Sequence, residues 1–263
     1  MSKRGAGGET RLPLFFIGAR VIRPAFSGPL EEERNAPMEV FAEALGLLFG
    51  ADWELRQILW VTLKMSLSST AIAVCIGVPL GVLLGTGKFR GRKLILKIIH
   101  TLMGLPPVVA GLIVFLLLSR SGPLGSLRLL FSVPAMVIAQ VVLITPIVTG
   151  LTSSMVSAKA PAVMETAAGI GLSRSRTLWL ILRECRPQLV SVVLTGFGRA
   201  ISEVGAVQLV GGNVQYKTRV MTTTIMLETN KGNFGLAVAL GILLLLIAFV
   251  INALAGKLQE ERP

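Results

Sequence analysis

Arg199 and Glu203 are the residues whose chemistry stands out in this chain: two ionised side chains near the middle of an otherwise apolar stretch, Gln188–Val210. A charge at the centre of a bilayer costs about 3 kcal/mol on insertion scales, so each needs a partner or a wet cavity. Their i, i+4 spacing puts both on one helical face, within reach of each other. Two uses follow and both stay open: an ion pair that locks a helix bundle, or a polar lining on which Arg199 attracts an anion. Ser202, the Gly211 and Gly212 amides and Asn213 offer further donors along the same stretch. Pro106 and Pro107, in TLMGLPPVVAGL, remove two backbone donors and must bend or break a helix there. That break is either a static kink or a device that exposes backbone groups on a pathway.

The elements that position these groups are membrane helices. The chain has 263 residues, 52% of them hydrophobic, and a mean hydropathy of +0.73, too apolar for a soluble domain. Five stretches are long enough to cross a bilayer, which takes about 20 residues of helix each: 58–86, 94–118, 131–156, 188–210 and 235–255. No alternating strand pattern competes, and only helices or closed barrels span lipid. The expected fold class is all-α, a polytopic membrane protein of five transmembrane helices. Gly77, Gly81 and Gly85 recur every four residues in the first span, a spacing that favours close helix contact, within the bundle or at a dimer face.

Basic residues set the expected orientation. Lys88, Arg90, Arg92, Lys93 and Lys97 lie in one loop, and Lys159, Arg174, Arg176, Arg183 and Arg186 in the next loop on the same side, with Lys257 and Arg262 in the tail. The opposite loops hold only Arg120, Arg128, Lys217, Arg219 and Lys231. The richer side faces the cytoplasm, which places the N-terminus outside and the C-terminus inside. The net charge of +12 is then a topological signal rather than a nucleic-acid footprint, which would need a basic soluble face. Residues 1–37, rich in Pro, Gly and charge, are expected to be a disordered extension or the product of a start placed upstream of Met38. Residues 38–56 read as an interfacial amphipathic helix, with Phe41, Ala44, Leu45 and Leu48 on one face.

Between the third and fourth spans the sequence turns polar: AKAPAVMETAAGIGLSRSRTLWLILRECRP, residues 158–187. Pro161 suits a first helical position, Gly169 and Gly171 suit a helix end, and Ser173 can cap a second helix running to about Arg183. Glu165, Ala167, Ala168 and Gly171, with Ile181 and Pro187 behind them, resemble the cytoplasmic signature loop of ABC-importer membrane subunits. The resemblance implies that this loop docks on a separate ATPase, with Glu165, Ala167, Ala168, Gly169 and Gly171 as the coupling residues. GRAISEVGAVQLVGGN, TLMGLPPVVAGL and LLLSRSGPLG resemble the oxyanion importers for sulfate, molybdate and tungstate, the tungstate type most closely, over about Met38–Ala255.

No G-x-x-x-x-G-K-[ST] occurs, so this chain has no phosphate-cradling loop of its own. Cys75 and Cys185 are too far apart for a CxxC motif, and no cluster of His, Cys and carboxylate has metal-ligand spacing. The resemblance therefore implies a non-catalytic permease subunit in a bacterial or archaeal cytoplasmic membrane. It implies no cofactor in this chain, with ATP and Mg²⁺ bound by two partner ATPases, and it adds a second copy of the chain, an external solute-binding protein and an oxyanion cargo. That cargo is expected to be tungstate, with molybdate or sulfate as alternatives. A stand-alone ion-coupled transporter that uses Arg199 and Glu203 as a relay is the competing class.

Overall fold

The computed structural model describes residues 53–260, together with Gly46. The expected extension over 1–37 and most of the expected interfacial helix over 38–56 lie outside the described residues. The described chain is helical: α1 (Trp53–Thr86), α2 (Arg92–Met103), α3 (Pro107–Leu118), α4 (Val133–Gly169), α5 (Arg174–Glu184), α6 (Arg186–Ile201), α7 (Gly205–Gly211), α8 (Met221–Asn230) and α9 (Phe234–Glu260). Helices α1, α4 and α9 are each long and apolar enough to cross a membrane. Two bent pairs, α2 with α3 at 101° and α6 with α7 at 55°, stand where the other two spans were expected, which gives three spans among the described residues, or five where each bent pair counts as one.

The bundle is organised on the α1–α4 contact. Gly77, Gly81 and Gly85 on α1 face Val148, Thr152 and Val156 on α4, so that two four-residue ridges interlock. A β-carbon added at Gly81 would lie 2.5 Å from the Thr152 Cβ and 2.8 Å from the Thr149 carbonyl oxygen. The glycine stripe thus packs within one chain, the first of the two uses its spacing allowed. Above it, Met65 joins Ala110, Val114, Met136, Ala139 and Val207 in a core shared by α1, α3, α4 and α7.

Two buried side chains stitch this frame. Gln140 of α4 accepts from Ser69 Oγ of α1 at 2.5 Å and donates to the Ala200 carbonyl of α6 at 2.7 Å. Thr62 Oγ1 of α1 accepts the Met221 amide at the start of α8 at 3.0 Å. In lipid such ties contribute roughly 0.6–2 kcal/mol each. Gln140→Leu strips the Ala200 carbonyl of its donor while Ser69 keeps its bond to the Ser66 carbonyl. This variant is expected to insert normally but to melt several degrees lower in detergent. An unchanged Tm would show that the tie contributes nothing.

One local expectation is corrected. Pro161 does not open a new helix: α4 runs through it without interruption to Gly169, so the membrane span and the first polar helix are one element. An interior proline costs about 3 kcal/mol. Here the flanking turn is anchored by burial, with Val156 and Ala160 packed against Ile181 and Cys185. Gly171 does end the helix, in the left-handed conformation (φ +67). The Leu172 amide donates to the Ala167 carbonyl and the Gly171 amide to the Ala168 carbonyl, a paired stop that needs a positive φ at Gly171. Ser173 flanks α5, but its side chain makes no capping bond.

Candidate functional site: a polar helix face and a protruding tip

The two bent helix pairs meet at their breaks. Val108 and Gly111 at the start of α3 pack on Gly205 and Ala206 at the start of α7, so closely that a β-carbon on Gly111 would come within 2.6 Å of the Ala206 Cα. Pro107 occupies the first helical position of α3, with Pro106 just outside it. The kink expected at these prolines is therefore a full change of direction, followed by a second helix.

The break between α6 and α7 spans Ser202–Val204, which places Glu203 at a helix junction rather than inside a continuous helix. Glu203 is 4% exposed. Its Oε1 accepts the Ala206 amide at 3.2 Å, closing the first turn of α7, and its carbonyl accepts the Thr222 hydroxyl at 2.9 Å. Arg199 Nη2 lies 3.6 Å from Glu203 Oε2, so the expected pair forms even though the helix ends between its members. The two ends of that pair differ in kind. The Arg199 side chain is 38% exposed. Glu203 is dry and holds two elements together. Glu203→Ala is expected to lower Tm through the lost cap, a loss of about 1 kcal/mol, whereas Arg199→Lys, which keeps a cation beside the buried carboxylate, should leave Tm nearly unchanged. Equal losses in both variants would show instead that the ion pair itself is the lock.

Below the break, α6 turns Ser191, Thr195, Gly198 and Ser202 to its exposed face. Ser191, Thr195 and Gly198 line a cavity of about 460 Å³ with Asn252 and Gly256 of α9. The sequence reading singled out Ser202 and Arg199 on this face but missed Ser191 and Thr195. Their spacing of three to four residues was the available signal. At the far end of α7, Gly211 is buried against Met136. The Gly212 amide is committed to the Gln208 carbonyl, and Asn213 Oδ1 accepts from Thr223. Gly211, Gly212 and Asn213 are thus brought together as a turn, separate from the exposed face at Ser202.

At the opposite end of the bundle, the stop at Gly171 and helix α5 form a tip. Glu165, Ala168, Gly169 and Gly171 are exposed there, while Ala167 is buried at 1% and packs inward. Ile170 protrudes with 68% of its surface exposed and Trp179 with 61%, the Arg183 guanidinium lying 5.4 Å above the Trp179 ring. Ile170 is the residue sequence reasoning missed: an isoleucine between two glycines reads as part of a turn until its exposure is seen. Beneath the tip, burial pushes the Cys185 thiol above its ordinary pKa, against the pull of Lys159. A protonated, buried thiol is a poor nucleophile.

An apolar bundle with a protruding polar tip and two bent helix pairs has counterparts. The model of the binding-protein-dependent transport system inner membrane component matches residues 77–261. The chain belongs to this family. Among its relatives, the tungstate uptake system permease protein TupB of Peptoclostridium acidaminophilum is 41% identical over 85% of this chain and 98% of its own length. The TupB of Campylobacter jejuni is 39% identical over 84% of this chain and 92% of its own length. The sulfate transport system permease protein CysW of Synechocystis is 29% identical over 95% of this chain and 91% of its own. Among solved structures, an inward-facing MetNI methionine ABC transporter chain superimposes with a TM-score of 0.63 at 17% identity, covering 79% of this chain and 95% of that one, which speaks for the fold. As a family member, this inner membrane component is a multi-pass membrane protein.

Proposed function

We propose that this component is the membrane-spanning subunit of an ATP-driven importer for tungstate. The observation that carries the substrate is the 41% identity to a tungstate uptake permease along nearly that protein's whole length, against 29% to a sulfate permease. The basic end that bears the tip faces the cytoplasm, in agreement with the positive-inside distribution. The N-terminus is then outside and the C-terminus inside. The tip, with Glu165, Ala168, Gly169, Gly171 and the protruding Ile170, docks on a separate ATPase, which binds ATP and Mg²⁺. The small residues admit a close approach, and Ile170 offers the apolar anchor that docking interfaces favour. Ala167 supports this surface from inside.

Two copies of the chain enclose the pathway, and a solute-binding protein delivers the anion from outside. Within the pathway, the exposed α6 face carries Ser202 and the wetted side of Arg199. Glu203 positions this face by tying α6 to α7, and the breaks at Pro106–Pro107 and at Ser202–Val204 let the outer half-helices α3 and α7 move as one packed unit. Because a dianion sheds water reluctantly, the path must supply donors; Arg199 is the first, and the Thr195 and Ser202 hydroxyls can serve only by releasing the Ser191 and Gly198 carbonyls they now bond.

The test is uptake into proteoliposomes that hold this chain with its ATPase, supplied with the solute-binding protein and with tungstate, molybdate or sulfate in competition. ATP-dependent accumulation of tungstate that an equal concentration of sulfate fails to reduce is the expected result. Accumulation of sulfate in preference to tungstate would overturn the substrate assignment and leave the importer class standing.

A further inference from the structure

Between α3 and α4 the chain folds back on itself and leaves a cavity of about 1090 Å³, lined in part by Phe115, Ser119, Arg120, Ser126, Arg128 and Phe131. The loop is tightly built. The Leu124 amide donates to the Leu117 carbonyl and the Gly122 amide to the Ser119 carbonyl. Gly122 and Gly125 sit so close to the Leu116 and Ser119 carbonyl oxygens that neither has room for a side chain. Arg128 and Phe131 both hold left-handed backbone (φ +49 and +59), uncommon for residues other than glycine. The Phe131 amide donates to the Val210 carbonyl, and a β-carbon on Gly212 would meet the Phe131 ring at 2.6 Å. The loop is thus pinned to the end of α7, beside the Gly211–Asn213 turn.

Among the described residues that line this cavity, the charge is one-signed. Among the described residues neither the Arg120 nor the Arg128 guanidinium has a hydrogen-bonded or ion-paired partner. The sequence carries no aspartate or glutamate between Glu54 and Glu165. Ser126 adds a hydroxyl that can turn toward an acceptor, while the Ser119 hydroxyl donates to the Leu116 carbonyl at 2.9 Å. A concave site lined by cations with apolar walls focuses the field and raises the local concentration of anions.

We propose that this cavity is an anion vestibule, in which Arg120 and Arg128 concentrate hydrated tetrahedral oxyanions beside the end of α7. The proposal rests on the oxyanion reading above and adds a site to it. The volume suits an ion that keeps its water, so the vestibule works by field rather than by tight ligation.

The experiment uses the full chain in detergent with Cys75→Ser and Cys185→Ala, and Ser126→Cys as reporter; Ser119→Cys is a second reporter should the first fold poorly. Rates of modification by an anionic sulfonatoethyl methanethiosulfonate and a cationic trimethylammonioethyl methanethiosulfonate are compared, each relative to a free thiol in solution. The anionic reagent is expected to be favoured about 10-fold or more, and the preference to fall to near one in Arg120→Gln/Arg128→Gln. At matched ionic strength, tungstate should slow the anionic reagent more than chloride does. A preference near one with both arginines present, or equal effects of tungstate and chloride, would overturn the vestibule. Because neither readout needs ATP or a partner protein, both can succeed while transport fails, and the reverse.

Discussion

Ile170→Asp is expected to abolish ATP-driven uptake while leaving the chain inserted and its Tm unchanged. Ile170 is 68% exposed at the end of a helix that Gly171 stops in left-handed geometry, so the substitution disturbs no packing within the chain. In the proposed dock, a carboxylate at this position would be desolvated and unpaired. Loss of a central apolar anchor alone costs about 2 kcal/mol or more, which is roughly a 30-fold weaker dock. Glu165→Lys should act in the same direction, and Gly171→Val should do so by unwinding the stop itself. The readouts are paired: uptake by proteoliposomes, and copurification of the ATPase with the solubilised chain. Normal uptake and copurification in Ile170→Asp would remove the tip from the coupling account.

Gly81→Leu is expected to eliminate folded protein altogether. Even the first added carbon would sit 2.5 Å from the Thr152 Cβ and 2.8 Å from the Thr149 carbonyl oxygen, a contact with backbone that no rotamer can avoid. Overpacking by single methylenes already costs about 1–3 kcal/mol, and leucine adds four heavy atoms at the contact that organises the bundle. Total stabilities of about 5–15 kcal/mol leave little reserve. Gly241→Ala on α9 is the control, because nothing lies within 4 Å of its added carbon. Size-exclusion profiles of the two variants should separate cleanly, aggregated or absent for Gly81→Leu and monodisperse for Gly241→Ala.

Much of this architecture was legible in the sequence because lipid leaves few options. Runs of about 20 apolar residues must be helices, and each of the five matches a helix or a bent pair. Gly77, Gly81 and Gly85 announced close packing, but four-residue spacing is blind to the identity of the partner, and only the fold shows α4 there. The Pro106–Pro107 break was legible because proline removes a donor wherever it stands. The break at Ser202–Val204 was not, since glycine and serine are ordinary in membrane helices and no proline marks it. Its available signal was Glu203 lying three residues before Ala206, the geometry of a carboxylate closing a new first turn. Pro161 misled for the opposite reason: its local preference to start a helix yields to the burial of Ala160 and Val156 on the α5 side. Ala167 and Ile170 show the same limit at the tip, where sequence marked a small-residue surface and the fold decided which of its members face outward.

The central claim is that this chain moves cargo only when an external ATPase grips its tip. The direct measurement is hydrolysis and uptake followed side by side in one proteoliposome preparation, with the ATPase and solute-binding protein present and then with this chain alone under an imposed ion gradient. The account predicts tungstate accumulation that tracks ATP hydrolysis in the complete system, is lost in Ile170→Asp, and is absent from vesicles holding this chain alone. Accumulation by the lone chain, driven by the gradient, would contradict it.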